Sequence, residues 1–143
     1  MPKEPINIDK VKVESVMSKD FLIIDKNTPI RQVKDMFLQT DFATLLIVDE
    51  KGQLTGVIAA FDFLNLFDIK GEFDYEKYKE KPVGDFEAVA RWGGITVSSQ
   101  DSLRKCIEYM NSFRMRYLPV LDKGRKVVGL ISIKDIVRFM LPG

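Results

Sequence analysis

Histidine is absent from the 143-residue sequence, and cysteine occurs once, as Cys106. Without histidine, neither a Cys/His zinc cluster nor a Ser-His-Asp or Cys-His nucleophile can form. A lone cysteine excludes an intramolecular disulfide and fits a reducing compartment, so we expect a cytoplasmic protein. No apolar run approaches the roughly 18 residues of a membrane span, and the first residues lack the apolar stretch of a signal peptide.

An excess of charge of one sign is also missing. Lys and Arg number 22 against 21 Asp and Glu, which gives a net charge of +1. Such a balance provides no overall field that would attract nucleic acid or an anionic membrane. Basic residues do cluster at one turn, at Lys123, Arg125 and Lys126. Weak nucleic-acid binding is the interpretation that this cluster leaves open, but no recognised binding motif supports it.

What the sequence does contain is an internal repeat with an offset of 73 residues. Residues 44–49 and 117–122 are apolar runs that end in Asp. Residues 56–62 and 129–135 both read as glycine, two apolar residues, a small residue, two more residues and Asp. The offset slips only near the start of the repeat, where Val13 corresponds to Val83 and about four extra residues follow. A constant offset over some forty residues indicates a duplication.

Each copy predicts the order helix–strand–strand–helix. Thr28 and Asp101 are candidate N-caps for the first helix, and Pro29 suits its first turn. Two short apolar runs separated by a polar turn predict a buried hairpin. The last helix of each copy is expected to begin at Asp62 or Asp135. One copy is too small to fold alone, so two copies are expected to form a shared core.

These patterns predict a mixed α/β protein in three segments. The segments are a first repeat at residues 12–70, a highly charged connector at 71–82, and a second repeat at 83–140. The connector is read as solvated, with a short helix. The alternative interpretation is that its aromatic residues form part of an interface.

The doubled pattern resembles the cystathionine-β-synthase (CBS) domain pair, or Bateman module. The order and spacing of the two apolar runs, and of the two Gly-to-Asp segments at 56–62 and 129–135, carry this resemblance. It implies two repeats packed with pseudo-twofold symmetry, with sheets flanked by helices and two clefts between the repeats. It also implies a regulatory role in binding AMP, ADP or ATP, sometimes S-adenosylmethionine, and assembly as a homodimer. No required cofactor, metal or catalytic residue is implied.

In nucleotide-binding CBS proteins, the Asp that closes the Gly-to-Asp segment accepts hydrogen bonds from ribose hydroxyls, and the Ser or Thr three residues earlier lies near a phosphate. The second repeat has this full set in Ser132 and Asp135, with Lys134 between them. The first repeat has Asp62, but Ala59 replaces the hydroxyl residue. Loss of one hydrogen bond to a charged group costs about 1.5–3 kcal/mol. The Asp135 cleft is therefore predicted to be the better site.

The resemblance also assigns the rest of the Asp135 cleft. Arg114 and Arg116 stand where nucleotide-binding members often carry phosphate-binding cations, and Leu130 closes the wall around the base. The first repeat is expected to supply the remaining adenine wall, from Met17, Ser18, Leu22, Phe42 and Ala43. Core packing, or surface exposure in the case of the arginines, is the alternative role of these residues.

The sequence therefore favours a non-catalytic, ligand-sensing module that acts on an unidentified partner protein or through dimer association. The alternative is a structural module with empty clefts that mediates dimerisation or partner binding, in which Asp135 only caps a helix. An enzyme is not expected, because Asp62 and Asp135 are related by repetition and are predicted to lie in separate clefts.

Overall fold

A computed structural model describes residues 4–39, 44–85, 91–92 and 94–143. The chain divides into two compact units: unit 1 comprises Met1–Phe21 and Ile95–Gly143, and unit 2 comprises Leu22–Gly94. Each unit contains one β-sheet, helices and its own apolar core, which confirms the mixed α/β class. No helix within the described ranges has the length and apolar character that crossing a membrane requires.

Unit 2 contains a four-stranded sheet in the order β1-β2-β3-β4. β1 runs parallel to β2, and the other pairs are antiparallel. The elements are β1 (Ile23–Ile24), α1 (Ile30–Gln39), β2 (Thr44–Val48), β3 (Leu54–Ala59), a 3₁₀ helix (Ala60–Leu66), α2 (Tyr75–Tyr78), a second 3₁₀ helix (Val83–Asp85) and β4 (Arg91–Trp92). Its core forms between α1 and one face of the sheet, around Val33, Leu45 and Ile58.

Unit 1 contains a three-stranded sheet in the order β5-β6-β7, with β5 parallel and β7 antiparallel to the central strand. Its elements are a 3₁₀ helix (Val13–Ser15), β5 (Val97–Ser98), α3 (Leu103–Phe113), β6 (Tyr117–Leu121), β7 (Val127–Ser132) and α4 (Ile133–Met140). Val13, Leu118 and Ile131 are fully buried in its core.

The repeated sequence pattern produces the same hairpin twice. Ile47 pairs with Gly56 in unit 2, and Val120 pairs with Gly129 in unit 1, each partner 73 positions from its counterpart. The pairing register shifts directly after both of these pairs. Identical register, down to this irregularity, is the structural counterpart of the duplication.

The compact units do not coincide with the predicted sequence repeats, because the leading segments are exchanged. The Val13 N–H donates to the Asp101 carbonyl in unit 1 at 2.9 Å, and the Val83 N–H donates to the Thr28 carbonyl in unit 2 at 2.8 Å. Residues 13–18, at the start of the first repeat, thus complete the unit that holds the second repeat's hairpin. Residues 83–85 and 91–92, at the start of the second repeat, belong in turn to the unit that holds the first repeat's hairpin. The division at 12–70 and 83–140 remains a prediction about sequence units.

Part of the predicted connector is structured. The Ile30 and Arg31 N–H groups at the start of α1 donate to the carbonyls of Lys81 and Lys79, at 3.0 and 3.1 Å. Tyr78 packs against the unit 2 core. Residues 78–81 therefore cap α1, since they satisfy amides that have no partner within the helix.

The chain's first residues cap α3 in the same way. The Leu103 and Arg104 N–H groups donate to the carbonyls of Val11 and Ile8, at 2.8 and 3.2 Å. The Arg104 guanidinium also pairs with the carboxylate of Asp9, and its hydrogen bond lowers the pKa of that carboxyl. The repeat therefore extends upstream of the first sequence motif.

Candidate functional site

Ser132 and Asp135 form a reciprocal pair where β7 passes into α4. The Ser132 N–H donates to Asp135 Oδ2 at 2.9 Å, and the Asp135 N–H donates to Ser132 Oγ at 3.1 Å. This arrangement is a capping box, which forms at a helix start when Ser is followed three residues later by an acidic residue. The pair fixes the carboxylate at the end of the strand.

The Asp135 carboxylate has acceptor capacity left after these contacts. Its side chain is 11% exposed, so it is shielded from most solvent but can be reached. Oδ2 accepts from Ser132, and Oδ1 lies 3.3 Å from Arg138 Nη1. A carboxylate has about four acceptor positions. Two hydroxyl groups of a ligand can therefore still donate to it.

Two cationic residues lie at the start of α4, and a third ends the helix that precedes β6. The Ile133 N–H donates to the Arg116 carbonyl at 3.1 Å, which holds the residue before β6 beside the helix start. Lys134 is the second residue of α4, and Arg114 ends α3 with a left-handed φ of 53°. All three side chains are exposed, and none forms an ion pair within the described part of the chain. They are available to an anionic group such as phosphate.

Met17 and Ser18 reach β7 from the start of the chain. Ser18 and Leu130 exchange two backbone hydrogen bonds of 2.8 and 2.9 Å. Met17 lies against Gly129, where a Cβ atom would overlap the Met17 sulfur. The structure thus places Met17, Ser18 and Leu130 in unit 1, together with the Ser132–Asp135 pair.

The corresponding position in unit 2 differs in chemistry. The Ala59 N–H donates to Asp62 Oδ2 at 2.8 Å, but Ala59 has no hydroxyl to accept the return bond. Asp62 is only 3% exposed, and the segment that follows is a 3₁₀ helix. Phe61 stands where unit 1 has Lys134. Unit 2 therefore lacks two polar groups that unit 1 offers at this position.

The assignment of the three remaining wall residues stays a prediction. Leu22 belongs to unit 2. Phe42 and Ala43 lie outside the described residues, and so does the side chain of Trp92.

Charge distinguishes the two units, although the charge of the whole chain is nearly balanced. Unit 1 contains 13 Lys and Arg against eight Asp and Glu, a net charge of +5. Unit 2 contains nine against 13, a net charge of −4. The charge difference can be counted from the sequence, but only after the exchanged segments are assigned to their units. An anion meets a favourable field at unit 1.

Unit 2 also has an open groove that the sequence did not predict. Its volume is about 810 Å³, and its lining includes Asp25, Lys26, Gln32, Asp49 and Lys51. It lies by the β2–β3 turn, at the end of β3 opposite Asp62, and none of the predicted site residues lines it.

Comparison with known proteins places both repeats in one family. The model of the CBS domain matches residues 13–68 and 85–142. Among curated proteins, the inosine-5'-monophosphate dehydrogenase of Aquifex aeolicus is 31% identical over 137 residues, which are 95% of this chain and 26% of that protein. The chain spans between 24% and 46% of the length of the first curated relatives it matches.

Solved structures share the fold. The complex of CBSX2 with AMP has a TM-score of 0.76 at 20% identity, covering 90% of this chain and 95% of that one. The CBS domain pair of MJ0100 with 5-methylthioadenosine and S-adenosyl-L-methionine has a TM-score of 0.71 at 23% identity, covering 90% and 94%. The cytosolic domain of the Mg²⁺ channel MgtE with ATP has a TM-score of 0.72 at 16% identity, covering 92% and 50%.

Proposed function

The chain belongs to the CBS-domain family, and on that premise we propose that it is a non-catalytic regulatory module that binds an adenosine nucleotide at the start of α4. The observation that carries the proposal is the Ser132–Asp135 pair at the start of α4, a shielded carboxylate with spare acceptor capacity. Lys134 and Arg116 lie at the same helix start and have no ion-pair partner in the described residues. AMP, ADP and ATP all combine the two groups that this arrangement complements, a diol and a phosphate.

Each candidate residue has a chemical role in this proposal. Asp135 accepts from the ribose hydroxyls, and charge-assisted bonds of this kind are strong. The Ser132 hydroxyl already accepts from the Asp135 N–H, but it can still donate its own proton to a phosphate oxygen. Lys134, Arg114 and Arg116 contact the phosphates, and arginine can do so through two parallel hydrogen bonds.

The base is held by apolar residues of unit 1, Met17 and Leu130, with the backbone beside Ser18. Leu22, Phe42 and Ala43 complete the wall by family resemblance. The position around Asp62 and Ala59 is the weaker site. S-adenosylmethionine is the alternative ligand, since a CBS pair of similar fold has been solved with it. No cofactor is required.

Regulation follows when the nucleotide has different affinities for two states of the protein. We place the response in a homodimer or in a partner protein of the cytoplasm, and not in catalysis by this chain. The chain covers 26% of the Aquifex aeolicus dehydrogenase, and CBS domains account for residues 13–68 and 85–142 of this chain.

Calorimetric titration with AMP, ADP, ATP and S-adenosylmethionine tests the proposal. The informative variant is Asp135→Asn, because the Asn oxygen can still accept from the Ser132 N–H while the charge is lost. We expect at least one of the four ligands to bind to the wild type, and the variant to bind about 10- to 100-fold more weakly, with its helix cap preserved. Asp62→Asn is the matched control, and we expect it to leave the tighter site unchanged.

A second variant addresses the phosphate end. Arg116→Ala should weaken ATP more than adenosine, because adenosine has no phosphate for the guanidinium to contact. Equal weakening of both ligands would remove Arg116 from the proposed site.

The second candidate function is an interaction module that binds no nucleotide. It is favoured by the fact that the Ser132–Asp135 pair is a complete helix cap without any ligand. Absence of binding by nucleotide-free protein to all four compounds would support this candidate and overturn the first.

A further inference from the structure

The open groove of unit 2 lies between the loop that joins β1 to α1 and the turn that joins β2 to β3. Asp25 and Lys26 line it from the loop, and Asp49 and Lys51 line it from the turn. Its volume of about 810 Å³ falls in the range of small-ligand sites. Because no residue of the proposed nucleotide site lines it, the groove is a separate candidate site.

In unit 1, a chain of side-chain hydrogen bonds occupies the corresponding position. The Lys12 ammonium donates to Gln100, and the Gln100 amide donates to the Glu14 carboxylate, both at 2.8 Å. The bridges Pro29–Pro82 and Lys12–Ser102 align the two units here. The unit 2 counterparts of the three residues are Pro82, Asn27 and Gly84. Proline and glycine have no polar side chain, so the hydrogen-bonded chain cannot form in unit 2.

A second set of unit 1 contacts is also missing from unit 2. The Lys105 ammonium lies 3.3 Å from the Asp101 carboxylate and 5.6 Å from the centre of the Tyr109 ring. Their counterparts, 73 positions earlier, are Gln32, Thr28 and Met36, and all three line the groove. Neither an ion pair nor a cation–π contact can form between these side chains. The two repeats have thus diverged in the residues that would fill the groove.

The carboxylates of the groove have acceptor capacity left. Asp25 Oδ1 accepts from the Asn27 N–H at 2.8 Å. Asp49 Oδ1 accepts from the Lys51 and Gln53 N–H groups, both at 2.9 Å. Each of these hydrogen bonds uses Oδ1, so Oδ2 of both carboxylates remains able to accept from a ligand.

The groove also contains unpaired cations. Neither Lys26 nor Lys51 forms an ion pair within the part of the chain that the structure describes. A ligand with charge of one sign would meet like charge in the lining, and the net charge of −4 on unit 2 disfavours an anion. A ligand with one charge of each sign and no net charge complements both sets of groups.

We propose that this groove binds a zwitterion of the amino-acid class, a free amino acid or a short peptide. The ligand ammonium donates to Oδ2 of Asp25 and Asp49, and its carboxylate accepts from Lys26 and Lys51. Such charge-assisted hydrogen bonds are stronger than neutral ones. This inference goes beyond the proposed function, because it concerns a different ligand and a site contained in unit 2.

Calorimetric titration of the full chain with each standard L-amino acid and with trialanine tests the proposal. We expect at least one of these compounds to bind with a dissociation constant below about 1 mM. Comparison of trialanine with alanine distinguishes a peptide from a free amino acid. The N-acetyl derivative of the ligand lacks the ammonium, and the methyl ester lacks the carboxylate. Each should bind about 10- to 100-fold more weakly than the parent compound.

Two matched variants locate the binding. Asp49→Asn removes a charge, while the Asn oxygen can still accept the hydrogen bonds of the turn. We expect it to weaken the zwitterion by about tenfold or more and not to weaken the N-acetyl derivative. Asp122→Asn makes the same change in the equivalent turn of unit 1 and should leave the affinity unchanged.

A double variant tests the comparison between the repeats. Gln32→Lys with Met36→Tyr places the unit 1 side chains in the groove and should weaken the ligand by about tenfold or more, with the fold checked by circular dichroism. Binding of none of the compounds, or equal effects of Asp49→Asn and Asp122→Asn, would overturn the proposal. Asp49→Asn should leave the nucleotide titration unchanged, so failure here is distinguishable from failure of the nucleotide site.

Discussion

Gly52 and Arg125 occupy the same position of the repeated hairpin turn, with φ angles of 79° and 62°. In both turns an Asp carboxylate accepts two backbone N–H groups: Asp49 from Lys51 and Gln53, and Asp122 from Gly124 and Lys126. The left-handed conformation is free of strain for glycine, but it costs another residue about 1–2 kcal/mol. The two copies of the turn therefore differ in strain at one residue.

We expect Arg125→Gly to raise the free energy of unfolding by about 0.5–1 kcal/mol, because relief of strain exceeds the entropy that glycine adds to the unfolded chain. Urea unfolding of wild type and variant measures the difference. Gly52→Ala is the matched control and should lower stability by about 1 kcal/mol. A loss of stability in Arg125→Gly would mean that the arginine side chain stabilises the turn.

Cys106 is fully buried on α3, and burial raises the pKa of its thiol to about 12 from an ordinary value of 9.0. The neutral thiol is thus favoured in the folded state. Its contribution to stability is fully present below pH 9 and is lost as the pH rises toward 12. The native thiol should react with an aromatic disulfide reagent at pH 8 only as fast as the protein opens.

The measurement compares the labelling rate in buffer with that in denaturing urea. We expect native labelling to be slower by several orders of magnitude. A native rate close to the unfolded rate would contradict the burial of Cys106.

At the scale of single residues, a motif within one short segment was easier to recognise than the helix caps. Ser132 and Asp135 were recognisable because both lie in one local motif whose geometry the helix start dictates. Thr28 and Asp101 were wrong as N-caps: α1 begins at Ile30, and Ser102 caps α3. Asp101 instead accepts from the Ser98 N–H at 2.7 Å. The first two amides of each helix are bound by carbonyls distant in sequence, which no local pattern reveals.

The last helices of the two units allow a matched test of how a helix cap affects stability. α4 has the complete Ser132–Asp135 cap and is α-helical, whereas the segment after Ala59 has half of the cap and is a 3₁₀ helix. We expect Ser132→Ala to cost about 1 kcal/mol of unfolding free energy, and Ala59→Ser to gain a comparable amount by completing the second cap.

Thermal unfolding of the two variants and of the double variant checks this expectation. The two changes lie in separate units, so their effects should add. If Ala59→Ser gave no gain, the 3₁₀ geometry would be set by packing and not by the missing hydroxyl. The sequence predicted a helix after both positions but did not distinguish an α-helix from a 3₁₀ helix. The pattern of apolar spacing treats Ala59 and Ser132 alike, because both are small residues.

The exchanged leading segments are the main feature of the whole molecule that the sequence did not predict. Duplication was readable from the constant offset, and the hairpins followed from the apolar runs. Only the family resemblance linked Met17 and Ser18 to the Asp135 cleft. No local pattern predicts where residues 13–18 lie, because their hydrogen bonds to Asp101 and Leu130 join positions more than 80 residues apart. The charge difference between the units was hidden for the same reason.

The exchange predicts a long-range effect of a small change. Val13→Ala should destabilise unit 1 by about 2 kcal/mol, since Val13 is fully buried in that core. Hydrogen exchange followed by mass spectrometry should then show faster exchange in α3, some ninety residues away in sequence. α1, which belongs to the same sequence repeat as Val13, should be less affected.

Val83→Ala is the reciprocal control and should accelerate exchange in α1 more than in α3, because Val83 is buried in the core of unit 2. If Val13→Ala acted mainly on α1, the compact units would follow the sequence repeats and the exchange would be refuted.

The crossing of the leading segments also bears on how such a chain arose. Cutting the backbone between Gly71 and Glu72 would yield two pieces, each carrying the leading segment that the other piece's hairpin requires. Neither piece could complete its own apolar core, but the two pieces together contain every segment that both cores require. A single-repeat ancestor would have depended on meeting a second molecule, with a yield that fell on dilution. Gene fusion replaces that encounter with a tether, which supplies a local concentration on the order of millimolar.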